Sequence, residues 1–245
     1  MNTLTRLFGT IGLLAIGALP NAKASVVITN HFDADPGWAG VNNTSGGNSY
    51  ENYYADTNSF QGEYFSLGHA LQGSGRFDAR NVSTFTGGAE IGHRSASTSD
   101  QTFLGLHVVD LDASNVRIRA FFQRSDGVGL GSSLSVVPIN GDYWFSYSYN
   151  PNSGGSSQGQ LSLTVTNSTF SNTFTVDLTA ADRAVGGVLD AFGVGSNPLS
   201  FPSASNTGDI FIDDVSFTAI PEPSAVALLG AGTLLLGRQR RLRVR

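Results

Sequence analysis

The chain has 245 residues with 14 Lys+Arg against 19 Asp+Glu, only 13% charged residues and 30 glycines, so its polarity comes from Ser, Thr, Asn and Gly rather than from ions. It has no cysteine, which excludes a disulfide framework, thiolate metal sites and a cysteine nucleophile. Between residues 25 and 218 there are 7 arginines against 18 acids, a balance of −11 that argues against a nucleic-acid partner and suits cations or neutral glycans.

The first 24 residues, "MNTLTRLFGTIGLLAIGALPNAKA", place a basic Arg6 ahead of an apolar run over residues 7–19 and end on the small-x-small pair Ala22 and Ala24. This three-part order is that of a secretory signal peptide, and it predicts a leader helix over residues 1–24, cut after Ala24 by signal peptidase. A buried N-terminal helix is the competing reading, but the length and the Ala-x-Ala end fit export better.

Residues 25–218 read as one β domain. Short apolar-polar alternations of period two recur, with Gly, Asn and Ser in the gaps, which predicts an antiparallel sandwich rather than parallel βαβ units. In chain order the expected strands are 26–30, 63–67, 82–86, 89–93, 103–109, 116–122, 134–139, 143–149, 161–166, 173–178, 191–195 and 209–218. In "DYWFSYSYN", Tyr143, Phe145, Tyr147 and Tyr149 share one face and Trp144 takes the other, a pattern that predicts core on one side. "LTAADRAVGG" predicts one short helix capped by Thr179 and ended by Gly186 and Gly187. Residues 40–64 form the main irregular segment, and loops of that length are functional or disordered.

Three stretches, "HFDADPGWAGVNN", "DYWFSYSYNPNSGGSSQGQLSLTVTN" and "GDIFIDDVSFT", resemble concanavalin A-like jelly rolls of the laminin G and lectin type. The resemblance implies an all-β jelly roll with its first and last strands side by side. It also implies a structural calcium, as many such carbohydrate-binding modules have, with the closing Ile-Asp-Asp-Val contributing an aspartate.

The chain ends "IPEPSAVALLGAGTLLLGRQRRLRVR". The apolar stretch 224–237 reaches only about 21 Å as a helix, short of a hydrocarbon core of about 30 Å. Arginines on its far side favour a cytoplasmic end. Pro221 and Pro223 keep the preceding backbone extended. Pro221, Glu222, Pro223 and Ser224, the short apolar span and Arg238, Arg240 and Arg241 in the tail 238–245 resemble the PEP-CTERM sorting signal, over residues 219–245. The resemblance implies processing by an exosortase, a membrane cysteine protease of bacteria that make extracellular polysaccharide. A similar tail closes some ice-binding proteins. No Leu-Pro-x-Thr-Gly is present, which disfavours wall attachment by a sortase.

Catalytic signatures are lacking. The body has only Glu51, Glu63 and Glu90 as glutamates, without the paired-carboxylate strand that glycan hydrolysis would need. His31, His69, His93 and His107 are scattered, no Gly-x-Ser-x-Gly elbow occurs, and the body has no lysine. Asp110 and Asp112 read as a strand end leading into a turn. Asp33 and Asp35 after the first strand, with Asp213 and Asp214 in the last, offer hard oxygen ligands for a structural Ca2+, or else an Asx-turn and a solvated pair. Trp38, Tyr50, Tyr53 and Tyr54, in or beside the polar loop, are candidates for stacking on sugar rings or for anchoring the loop. These features lead to an exported, non-enzymatic surface or matrix protein that needs no cofactor and takes extracellular polysaccharide as partner. A jelly-roll lyase or hydrolase and an ice-binding protein are the alternatives. The lyase or hydrolase would need a groove where Glu63, Glu90 and His93 converge, the ice-binding protein regular Thr-x-Thr ladders.

Overall fold

The computed structural model describes residues 26–32, 39–41, 51–52, 54–57, 65–81, 88–95, 99–139, 141–196 and 209–219. Its elements in chain order are β1 (Val26–Asn30), β2 (Ala39–Val41), β3 (Glu51–Asn52), β4 (Tyr54–Thr57), β5 (Leu71–Asn81), β6 (Ala89–Arg94), β7 (Phe103–Asp112), β8 (Asn115–Gln123), β9 (Gly129–Gly131), β10 (Ser135–Pro138), β11 (Tyr143–Asn150), β12 (Gln160–Thr166), β13 (Ser171–Asp177), α1 (Ala180–Val185), β14 (Ala191–Ser196) and β15 (Asp209–Ala219). One sheet runs β1-β15-β5-β11-β12-β13, with β3 also on β15. The second runs β10-β8-β7-β6-β14, with β9 on β8, and β2 pairs with β4 separately.

Every pairing between these strands is antiparallel. The chain is an all-β sandwich, and its first and last strands pair from Val26↔Ala219 to Asn30↔Val215.

Alternation sets which face each sheet buries. On β11, Tyr143, Phe145, Tyr147 and Tyr149 are buried, while Trp144, Ser146, Ser148 and Asn150 are exposed. Leu161, Leu163 and Val165 of β12 and Phe174 and Val176 of β13 continue the apolar face, opposite Leu104, Leu106 and Val108 of β7 and Ile118, Ala120 and Phe122 of β8. A buried tyrosine needs a partner for its hydroxyl. Tyr143 donates to the carbonyl of Pro138 at 3.0 Å and Tyr149 to that of Leu67 at 2.9 Å.

Two departures from the expected strands have physical causes. β5 was not expected, because its inward positions run Leu71, Gly73, Gly75, Phe77, Ala79 and two glycines hide the alternation. Gly73 pairs with Tyr147 and Gly75 with Phe145. A Cβ on Gly73 would lie 2.6 Å from the Tyr147 ring and one on Gly75 3.1 Å from the Phe145 ring, so the large side chains of β11 fill the room that β5 leaves. The segment 40–64, read as irregular, contains β2, β3 and β4, strands of four residues or fewer. Of the expected strand at 63–67, the described residues 65–67 form a single bridge, between Phe65 and Leu189, and 63, 64 and 82–86 lie outside the described residues.

The helix α1 forms where expected. Thr179 accepts from the backbone N–H of Asp182, whose carboxylate accepts in return from the Thr179 backbone N–H at 2.8 Å, and Gly186 closes the helix at φ 74°. The leader over residues 1–24 and the tail over 220–245 lie outside the described residues, and no described helix is long and apolar enough to cross a membrane.

Candidate functional site

The outward face of the first sheet is the most regular polar surface among the described residues. Its register aligns one hydroxyl from each of six adjacent strands: Thr29, Ser216, Ser74, Ser146, Thr164 and Thr173. With strands about 4.8 Å apart the row is about 24 Å long. Two residues further along, Gln72, Ser148, Ser162 and Thr175 form a second row, and Arg76, Trp144, Thr166 and Ser171 a third on the other side. Neighbouring hydroxyls bond at the ends of the first row, Thr29 to Ser216 at 3.4 Å and Thr164 with Thr173 at 3.0 Å.

This face is hollowed where β15, β5 and β11 meet. A depression of about 560 Å3 is lined by Val27, Gln72, Ser148, Asn150, Asn152 and Thr218, among others. A second, of about 200 Å3, shares Gln72 and Ser148 with it and adds Ser74, Ser146 and Ser216. Thr218 fixes one wall, accepting from the backbone N–H of Gln72 at 3.0 Å. Neither lining contains an Asp, Glu or His. Amides and hydroxyls both donate and accept, which suits the hydroxyls of a neutral sugar and offers no acid-base pair.

Trp144 lies two residues beyond Ser146 on the same face and is 48% exposed. The Arg76 guanidinium sits over its ring, 5.2 Å from the centroid. The loop aromatics singled out from the sequence are placed otherwise: Trp38, Tyr50 and Tyr53 lie outside the described residues, and Tyr54 is a β4 residue opposite Val41. Sequence reasoning places Trp144 only on the face of its strand opposite the core. The available signal was an aromatic on the serine side of "YWFSYSYN".

Of the proposed calcium ligands, Asp213 and Asp214 sit on β15 at a bulge where Asp214 takes φ 50°. Both carboxylates face Arg76, whose Nη1 is 3.7 Å from Asp213 and 3.6 Å from Asp214, and His31 Nδ1 is 2.8 Å from Asp214. Arg76 also donates from Nη2 to Asp142 at 2.8 Å. Positive charge therefore already stands at the pair. Asp33 and Asp35 lie outside the described residues, and among the described residues no three His, Asp or Glu side chains are placed to share a metal ion.

The carboxylate and imidazole on β6 do not converge. His93 faces the core and Glu90 the opposite side of the second sheet, as odd and even positions of one strand must. Glu63 is outside the described residues. Asp112 closes a turn, accepting from the N–H of Ser114 at 2.8 Å and from the Asn115 amide at 3.0 Å, and those bonds hold its carboxyl below the ordinary range. The sorting residues Pro221, Glu222, Pro223, Ser224, Arg238, Arg240 and Arg241, and the cleavage pair Ala22 and Ala24, lie outside the described residues.

The chain matches no protein-family profile and no curated protein. Among solved structures it overlaps a crystal structure of a protein of unknown function from Shewanella oneidensis MR-1, at 14% identity over 91% of this chain and 98% of that one, with a TM-score of 0.43.

Proposed function

We propose that this chain is an exported bacterial surface or matrix protein without enzymatic activity, and that its sandwich, a concanavalin A-like jelly roll, binds neutral polysaccharide on the outward face of the first sheet. The observation that carries the binding reading is the open hollow of about 560 Å3, whose polar lining is amides and hydroxyls with no carboxylate or imidazole, continued by the smaller depression beyond which exposed Trp144 stands. The hydroxyl row extends the same chemistry over about 24 Å, a surface for a chain rather than a single sugar. Export rests on the sequence: a leader cut after Ala24, then a Pro221-Glu222-Pro223 tail held briefly in the inner membrane until an exosortase cuts it.

The test is binding of purified protein to immobilised polysaccharides, including that of the producing organism, with Trp144→Ala alongside. Loss of the ring is expected to weaken binding about tenfold, the equivalent of 1.4 kcal/mol, with an unchanged melting temperature because the residue is half exposed. Failure to retain any polysaccharide, or equal retention by Trp144→Ala, removes the reading. A chelator arm addresses calcium: with Arg76 already beside Asp213 and Asp214, EDTA is expected to leave melting and binding unchanged, whereas a drop in melting temperature would assign the site to a metal.

A second reading has its own observation. The aligned hydroxyls of β1, β15, β5, β11, β12 and β13 repeat about every 4.8 Å across the strands, with further rows about 7 Å away along them, a lattice able to order water. Under this ice-binding reading the protein slows ice recrystallisation and Ser146→Lys abolishes the effect. Under the glycan reading neither is seen.

A further inference from the structure

The hollow of about 560 Å3 differs from the rest of the outward face, because carbon and amide groups meet in it. Val27 pairs with Thr218, the Thr218 hydroxyl bonds the backbone of Gln72, and Gln72 pairs with Ser148, so one line of outward positions crosses the hollow. Over β12 and β13 that line continues as Ser162 and Thr175, both polar. Its first member is apolar: Val27, 53% exposed on the edge strand β1, faces outward because Ile28 beside it packs against the core. A single exposed valine needs no explanation by itself. This one stands on the rim of a hollow that Ala70 and Pro151 also line with carbon.

Thr218 does not restore polarity to the wall beside Val27. Its hydroxyl accepts from the Gln72 backbone N–H at 3.0 Å and donates to the Gln72 carbonyl at 3.3 Å, so it is engaged within the protein. The polar groups left to the hollow are mostly amides. Asn150 Oδ1 accepts from the Asn152 backbone N–H at 3.0 Å, which fixes that turn and leaves its Nδ2 without a partner among the described residues. Gln72 and Asn152 are exposed, and their side-chain amides are likewise unpartnered among the described residues. A primary amide offers an acceptor and two donors. Set beside a carbon wall, it is the complement of a secondary amide that ends in a methyl group.

We propose that the hollow takes an N-acetylhexosamine unit of the polysaccharide, with the acetamido methyl against Val27 and the acetamido amide bonded to Gln72. This rests on the glycan-binding reading of the face and narrows it to one class of sugar. Val27 and Gln72 stand two strand spacings apart, about 10 Å, a span that one hexose with its acetamido arm covers. No charged side chain lines the hollow, which matches a ligand without charge. A plain hexose would set a hydroxyl where the methyl belongs and leave the Gln72 amide unmatched, a difference worth about tenfold in affinity. A 6-deoxyhexose supplies a methyl but no amide.

The test is saturation-transfer NMR of the purified protein with free N-acetylglucosamine, N-acetylgalactosamine, glucose, galactose and fucose, with affinities from competition, beside retention on immobilised polysaccharides. Both acetamido sugars are expected to bind about tenfold more tightly than their parent hexoses, with the strongest saturation on the acetyl methyl. Val27→Thr exchanges one methyl for a hydroxyl at an exposed edge position, so it should keep the melting temperature and reduce the preference. Gln72→Leu should reduce it from the amide side. Trp144→Ala, beyond the smaller depression, should keep the preference in full. The inference is overturned if no acetamido sugar binds, if glucose or fucose binds as tightly, or if the preference survives Val27→Thr or Gln72→Leu. Polysaccharide retention then separates the two readings. Retention that Trp144→Ala weakens leaves the glycan-binding reading standing without the acetamido assignment, whereas absence of retention removes both.

Discussion

Replacing His93 by alanine is expected to lower the unfolding free energy at pH 7 by roughly 4 kcal/mol, since it opens a cavity and strands two buried polar groups. His93 is a fully buried polar link between the sheets. From β6 its Nε2–H donates to the carbonyl of Thr218 on β15 at 2.8 Å, while Nδ1 accepts from the hydroxyl of Tyr147 on β11 at 2.6 Å. That hydroxyl accepts in turn from the His93 backbone N–H at 3.2 Å, so every polar atom of the pair is used. Phe65, Phe192 and Phe217 meet the imidazole edge to face, with centroids 5.5 to 6.4 Å away.

Burial disfavours the imidazolium and brings the pKa of His93 from 6.5 to about 4, although the Thr218 carbonyl pulls the other way. The unfolded chain therefore takes up a proton between pH 6.5 and 4 that the folded chain refuses. The resulting stability is fully present above pH 6.5 and falls as pH drops through that window, by about 3 kcal/mol at pH 4. Urea denaturation at pH 7, 5.5 and 4 separates this from other titrations when His93→Gln is run alongside. Glutamine can donate and accept but does not titrate, so the variant should start less stable and lose about 3 kcal/mol less over the window. Parallel losses in the two proteins would mean that His93 is not held neutral in the fold.

The contrast between β11 and β5 shows what the sequence can disclose. In β11 the alternation is complete, so "YWFSYSYN" names both its core face and its solvent face without help. In β5 the same inward face is written partly in glycine, because the volume is supplied by Tyr147 and Phe145 one strand away. A pattern within one segment cannot report volume borrowed from another. The helix α1 was readable for the opposite reason: the Thr179–Asp182 cap and Gly186 are local, within one turn of the chain.

The candidate sites follow the same division. Each hydroxyl of the long row is an unremarkable Ser or Thr in its own strand, and the row exists only because residue 29 falls beside 216, 216 beside 74 and 74 beside 146. Trp144 was the exception. Its place among serines is legible in the segment itself.

Substituting alanine for Gly105 is expected to cost at least 3 kcal/mol, in the direction opposite to the usual Gly→Ala change, which stabilises by about 0.4–1 kcal/mol where the backbone permits it. Gly105 of β7 faces Gly92 of β6, and the two backbones come so close that a Cβ on Gly105 would collide with the carbonyl oxygen of Ile91 and lie 3.0 Å from Gly92 Cα. The mirrored Cβ on Gly92 would collide with the carbonyl oxygen of Leu104. These are backbone atoms held by the β6–β7 ladder, so no side chain can swing aside. Relief requires parting two strands in the middle of the second sheet, where Ile91, Leu104 and Leu106 are fully buried. Gly155→Ala is the control, because its Cβ would meet only Asp177 Oδ2 at an ordinary 3.5 Å and its cost should stay within about 0.5 kcal/mol. Equal urea midpoints for Gly105→Ala and the parent would show that β6 and β7 can separate freely. The facing of Gly92 and Gly105 would then be a chance of sequence rather than a requirement of how the sheet is built.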